Sequence, residues 1–144
     1  MLKKLQGYDE IIIDNNPSIN LCTTNALCAC DRLIIPADLE KGALKGIELT
    51  LKHSQEILEN IDGANFEIRI LPTKIQRNKI DTETLEELKT AYGSMVYQTN
   101  IRYQAAPIKD SSMKGRMLIN DMKSRSKVAQ DYRDLVAEVL QEEK

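Results

Sequence analysis

Residues 8–18 read Tyr8-Asp9-Glu10-Ile11-Ile12-Ile13-Asp14-Asn15-Asn16-Pro17-Ser18. A continuous β-branched run, in place of an alternating one, suits a strand buried on both faces, here Glu10 to Asp14. The Asn-Asn-Pro-Ser stretch is a turn, and Ser18 is placed to cap a helix from Ile19 to about Cys30. An apolar strand ending in a carboxylate is the Walker B pattern, in which a shielded Asp holds Mg2+ or its bound water beside a triphosphate. Taken alone, Glu10 to Asp14 fit a structural cap better. Pro17, Ser18 and the immediate start of a helix sharpen the pattern.

Outward from this stretch, strands and helices alternate. Arg32-Leu33-Ile34-Ile35-Pro36 reads as a second buried strand, and a long helix follows from about Lys41 to Ile61 with its apolar residues mostly at helical spacing. Asp62-Gly63-Ala64-Asn65 breaks the pattern, and Phe66 to Pro72 is a third strand. Asp81 is read as the cap of a helix through about Tyr92, which Gly93 stops. Met95 to Ile101 reads as a fourth strand. Arg102 to Ser124 is irregular and basic, with a short helix around Met117, and a last helix runs from about Ser126 to Glu142. This order predicts an α/β fold: a mostly parallel sheet flanked by helices and joined by right-handed crossovers. In such sheets ligands bind at the carboxyl ends of the strands. Asp14, Asp38, Thr73 and the Ile101-Arg102 corner all fall at or just past those ends.

The 144 residues make one domain's worth of chain, and a single domain over 1–144 is expected. No Trp and one Phe leave the core to Ile, Leu, Val and Ala. No apolar run approaches a membrane span, and the lysines at Lys3 and Lys4 precede no apolar stretch of a signal peptide, so a cytoplasmic, membrane-free protein is expected. Cys22, Cys28 and Cys30 diverge around a helix at about 100° per residue, which favours packing thiols over a metal site. The lone His53 reads as a solvated surface residue. The net charge of −2 hides local patches. Lys109 to Lys127 has six basic and two acidic residues, and Asp131 to Lys144 has five acids against two bases.

The opening stretch resembles the "YD-x-I-I-I-D-x-x-P-S" segment of ParA/Soj partitioning ATPases. The likeness continues through Asn25-Ala26-Leu27, Ala29-Cys30-Asp31, Leu33-Ile34-Ile35-Pro36 and Gly42-Ala43-Leu44-Lys45-Gly46. It reappears at Leu71-Pro72-Thr73-Lys74 and Glu83-Thr84-Leu85-Glu86-Glu87-Leu88, covering nearly the whole chain in order. The resemblance implies a P-loop NTPase-like, Rossmann-like three-layer fold in which ATP is sandwiched between two subunits. By it, Asp14 is the catalytic and metal-serving carboxylate, acting on Mg2+ through water. Asn15 and Pro17 belong to the segment that senses the γ-phosphate, and Thr73, Lys74, Ile101 and Arg102 lie near the adenine. Arg102 stands where many relatives carry Pro.

The family also carries a glycine-rich loop, K-G-G-x-x-K-[ST] in pattern, whose backbone N–H groups and lysines grip phosphates. No such loop occurs among these 144 residues, where Gly7 stands alone. The chain is therefore expected to be a C-terminal portion with the N-terminal strands missing. By itself it is expected to bind neither ATP nor Mg2+ and not to hydrolyse ATP. Unpaired strand edges favour a homodimer or homo-oligomer. Lys109, Lys114, Arg116, Lys123 and Arg125, interleaved with serines, are the expected contacts to the DNA backbone, nonspecific and salt-sensitive. A ParB-like centromere-binding protein is the implied partner. Two alternatives remain open: a non-catalytic short form that binds DNA or the partner, and a MinD-like relative. The acidic end of the last helix (Glu138, Glu142, Glu143) argues against the latter's membrane-targeting role.

Overall fold

A computed structural model of the chain describes residues 7–16, 18–40, 43–115 and 126–142. The elements run α1 (Leu21–Leu27), β1 (Arg32–Asp38), α2 (Ala43–Asn60), β2 (Glu67–Thr73), α3 (Lys79–Tyr92), α4 (Ala105–Met113) and α5 (Lys127–Glu142). The two strands pair in parallel and are flanked by helices, as the alternation of elements predicted. The chain divides into two compact units, Met1–Leu33 with Gly46–Ile68, and Ile34–Lys45 with Arg69–Lys144. Both strands pass from the first unit into the second.

In the first unit, Leu27, Ile57 and Phe66 form a buried cluster against which Cys30, Leu33, Leu58, Ala64 and Ile68 pack. Ile47, Ser54 and Ile57 place one face of α2 inside, at helical spacing. Ser54 is fully buried yet satisfied, since its hydroxyl donates to the Thr50 carbonyl at 2.8 Å. At the amino ends of the strands, the Glu67 backbone N–H donates to the Asp31 carbonyl at 2.9 Å, and Arg32 pairs with Glu67 at 3.1 Å. Of the cysteines, Cys22 and Cys28 are exposed. Cys30 is half-buried, and that burial raises its thiol pKa.

In the second unit, Leu71, Tyr97, Ile101 and Val128 make the buried cluster, covered by Tyr132, Leu135 and Val139 of α5. The α5 stripe thus runs Val128, Tyr132, Leu135, Val139. Val136 and Leu140 of the same helix are about half exposed, at 49% and 47%. The start of α5 agrees with the sequence reading: the Ser126 hydroxyl accepts from Ala129 N–H, and the Gln104 side chain accepts from Val128 N–H at 2.9 Å.

Several elements differ from expectation. Residues 10–14 form no strand; Ile12 is 93% exposed and Ile11 45%. A strand buried on both faces needs neighbours on both edges, and none of the described residues pairs with this run. The helix after it is capped by Asn20, whose side chain accepts from Cys22 and Thr23 N–H, while Ser18 hydrogen-bonds Asn16 and Asn20. Asn78, not Asp81, caps α3, and the Asp81 carboxylate instead accepts from Gln76 N–H at 2.6 Å. Residues 105–109 and beyond, read as irregular, form α4; Met117 lies outside the described residues.

The predicted fourth strand, 95–101, is reduced to a 3-10 turn at Gly93–Met95 and an isolated parallel bridge between Val96 and Ile70. Tyr97 N–H donates to Ile70 O, and Ile101 N–H donates to Pro72 O. β2 therefore advances two residues while the facing segment advances four. The surplus Gln98 and Thr99 turn their N–H groups to the Glu138 carboxylate at 2.7 and 2.8 Å. Pro72, with no N–H, cannot pull them back into a ladder.

Candidate functional site: the carboxyl ends of the strands

β2 ends at Thr73, which is half-buried, and Lys74 follows in a left-handed conformation with φ 56°. That conformation is uncommon for a residue with a side chain and turns the chain sharply away from the sheet. Beyond the turn, Ile75 N–H donates to Ile101 O at 3.0 Å, and Tyr103 N–H donates to Ile75 O at 2.9 Å. A parallel bridge joins Ile75 to Arg102. Four residues picked out from sequence, Thr73, Lys74, Ile101 and Arg102, are thereby brought to one corner.

Each cation of this corner has a carboxylate partner. Arg102 forms a two-pronged pair with Asp131 of α5, Nε to Oδ2 at 2.7 Å and Nη2 to Oδ1 at 2.6 Å, and its backbone N–H adds a contact at 3.0 Å. Asp131 is buried, at 4% exposure. This planar fork is the geometry that makes Arg–carboxylate pairs strong and directional. Lys74 Nζ pairs with Asp38 at the end of β1, and the hydrogen bond and charge of Asp38 raise the ammonium above its ordinary pKa.

α5 fixes the rest of the corner through the same stripe of acids. Burial pushes the Glu138 carboxyl up, but hydrogen bonds from Thr99 and Gln98 and the charge of Arg69 outweigh it and leave it below the ordinary value. Arg69 reaches the Ser94 carbonyl and Glu142, with its guanidinium 4.6 Å above the Tyr97 ring. Sequence reading missed Asp131 and Glu138, counting them only as part of an acidic tail. The signal was present: Asp131 falls three residues after Val128 and four before Leu135, a carboxylate among buried positions, and buried carboxylates need partners.

The remaining sequence candidates stand apart from this description. Asp14 and Asn15 are exposed and belong to no helix or strand; Pro17 lies outside the described residues. No three His, Cys, Asp or Glu side chains among the described residues gather into a metal cage. The strand and the apolar shielding that the sequence pattern implied for Asp14 are not seen among the described residues. Lys109 is exposed on α4, and Lys114, just past its end, pairs with Asp110 at 2.7 Å. Arg116, Lys123 and Arg125 lie outside the described residues. His53, expected to be solvated, is partly buried and 4.0 Å from Glu56. No helix among the described residues is long and apolar enough to cross a membrane.

A family model described as an AAA domain matches residues 1–70. The chain is 33% identical over 139 residues to sporulation initiation inhibitor protein Soj of Bacillus subtilis (strain 168), covering 93% of this chain and 53% of that protein. Chromosome partitioning protein ParA of Caulobacter vibrioides (strain NA1000 / CB15N) is 27% identical over 143 residues, covering 95% of this chain and 51% of the relative. Protein SopA of Escherichia coli (strain K12) is 35% identical over 103 residues, covering 66% and 26%. The chain spans about half the length of the Soj and ParA relatives and about a quarter of SopA.

Proposed function

Because the chain belongs to the ParA/Soj-type family of partitioning ATPases, we propose that it serves the partitioning of replicated DNA. In this reading it contributes the base-facing end of a nucleotide site and a surface for duplex DNA. The observation that carries the reading is the meeting of Thr73, Lys74, Ile101 and Arg102 at the carboxyl ends of parallel strands. In open α/β sheets that is where ligands sit. ATP with Mg2+ is the ligand of the intact protein, and a triphosphate grip is its source of affinity. These residues supply contacts to the base, and Asp14 supplies one water-mediated contact to the ion.

Lys109, Lys114, Arg116, Lys123 and Arg125 serve the DNA backbone, since neutralising phosphates gives sequence-independent binding that salt weakens. The irregular, serine-rich context of these residues supports that use. A nucleotide-dependent dimer and a ParB-like partner complete the scheme.

The test is duplex binding by the 144-residue chain across a salt series. The unaltered chain is expected to bind, and replacing Lys114, Arg116, Lys123 and Arg125 by Ala is expected to flatten the logarithmic salt slope by about 0.9 for each phosphate no longer neutralised. Equal slopes for the two proteins would end the DNA assignment. In parallel, adenosine is titrated at millimolar concentration into the 15N-labelled chain, where weak contact to a base is still readable. Shifts confined to Thr73, Lys74, Ile101 and Arg102 support the corner. Their absence removes it.

A further inference from the structure

The strand-end corner is charge-matched in a way its proposed ligand does not require. Two cations meet here: Arg102 is the bridge partner of Ile75, and Lys74 precedes Ile75 in the chain. Asp131 takes both prongs of the Arg102 guanidinium and is itself 4% exposed, while the Arg102 side chain is 36% exposed. Asp38 takes Lys74. Beyond these contacts, the charge of Glu40 acts on Lys74 and that of Asp134 on Arg102. Four carboxylates thus bear on two cations, all within one compact unit.

A phosphate arriving here would have to unseat a two-pronged pair whose carboxylate is buried, or accept like charges beside it, and both oppose binding. A flat, uncharged heterocycle meets no such barrier. It finds the half-buried Thr73 beside a corner whose Ile101 is held in the core. We propose that Asp131, assisted by Asp38, is a specificity residue that withholds Arg102 and Lys74 from phosphate. The corner then accepts the uncharged end of a ligand and turns its anionic end away. The base-facing part rests on the proposed function; the exclusion of phosphate does not.

The two carboxylates carry unequal weight. The Arg102 pair is desolvated on the carboxylate side, whereas the Lys74 ammonium, 63% exposed, is screened by solvent. Removing the Asp131 charge is therefore the larger perturbation.

The experiment is a pyrophosphate titration of the 15N-labelled 144-residue chain, followed at the amides of Lys74, Arg102 and Tyr103. The unaltered chain is expected to show no site-specific shift there. Asp131→Asn, which keeps the shape and loses the charge, is expected to bind pyrophosphate at least about tenfold more tightly, and Asp38→Asn about threefold. Adding Arg102→Gln to Asp131→Asn is expected to abolish the gain. Pyrophosphate binding at Arg102 in the unaltered chain as tight as in the variants would overturn the proposal, as would no gain in either variant. Should Asp131→Asn lose its native amide dispersion, Asp38→Asn decides the matter at the Lys74 amide. An adenosine titration of the same samples separates the two ideas. No corner shift with adenosine sinks the base reading, and pyrophosphate exclusion is still judged by its own series.

Discussion

The Glu138 carboxylate stands where a neighbouring strand's carbonyls would be for Thr99, accepting that residue's backbone N–H at 2.8 Å and the N–H of Gln98 at 2.7 Å. A helix side chain thereby closes a gap in a sheet. Hydrogen bonds to a charged group are worth about 1.5–3 kcal/mol each when the alternative is an unsatisfied donor. Gln98 is exposed and regains water when the carboxylate goes, so Thr99 dominates the loss. Glu138→Ala is expected to lower unfolding free energy by about 2 kcal/mol, measured by urea denaturation.

The same contact fixes a pH dependence. The folded Glu138 pKa lies below its ordinary value of 4.5, so its contribution is fully present above about pH 4.5 and is lost as pH falls through the folded value. The stability gap between the unaltered chain and Glu138→Gln is therefore expected to hold constant from pH 7 to about pH 5 and to narrow below about pH 4.5. Urea midpoints at pH 7, 5 and 4 read it. A gap that widens in acid would assign the contact to a different protonation state.

Arg102 and Asp131 act as one unit, and their substitutions are expected to be strongly non-additive. Arg102→Ala removes both side-chain bonds to Asp131 while leaving the backbone N–H of residue 102, and is expected to cost about 1–3 kcal/mol. The double variant Arg102→Met with Asp131→Leu removes both charges and is expected to recover most of that loss. A double variant no more stable than Arg102→Ala would mean that the pair contributes more than mutual neutralisation.

Gly93 ends α3 with φ 53° and ψ −123°, a conformation that side chains avoid. A Cβ there would meet nothing within 4 Å, so the penalty of Gly93→Ala is conformational and not steric. It is expected to be about 1–3 kcal/mol, with the helix signal by circular dichroism otherwise unchanged at low temperature.

Phosphate release from ATP by the 144-residue chain is expected to stay at the background rate, because no glycine-rich loop occurs among its residues to stabilise charge on the transferred group. Measurable turnover that tracks the protein through purification would refute this.

The elements that sequence foretold are those whose signal lies in their own residues. β1 and β2 were legible from their apolar runs and flanking turns, and α5 as a helix from about Ser126 to Glu142. The corner was legible because Thr73 and Ile101 fall at predicted strand ends. The fourth strand failed because its fate is decided by Glu138, some forty residues away, and by the missing N–H of Pro72. The Ile11–Ile13 run carries strong strand propensity, but propensity without a paired edge does not make a ladder. α4 was hidden by its serines and by Pro107, yet a proline in the first turn removes no intrahelical hydrogen bond, and Asp110 to Lys114 is a favourable pair across one turn. Asp131 was missed because net charge was summed along the tail instead of being projected around the helix.

The slack beside β2 has a consequence for how this region can diverge. Between Tyr97 and Ile101 the chain already holds two residues more than the strand opposite them. Where a strict ladder turns every later side chain over with one inserted residue, this stretch can gain or lose a position by changing the size of a surface loop. Ile101 and everything after it would keep their facing, so a change of length at Gln98–Asn100 would cost the Glu138 contacts but preserve the corner beyond.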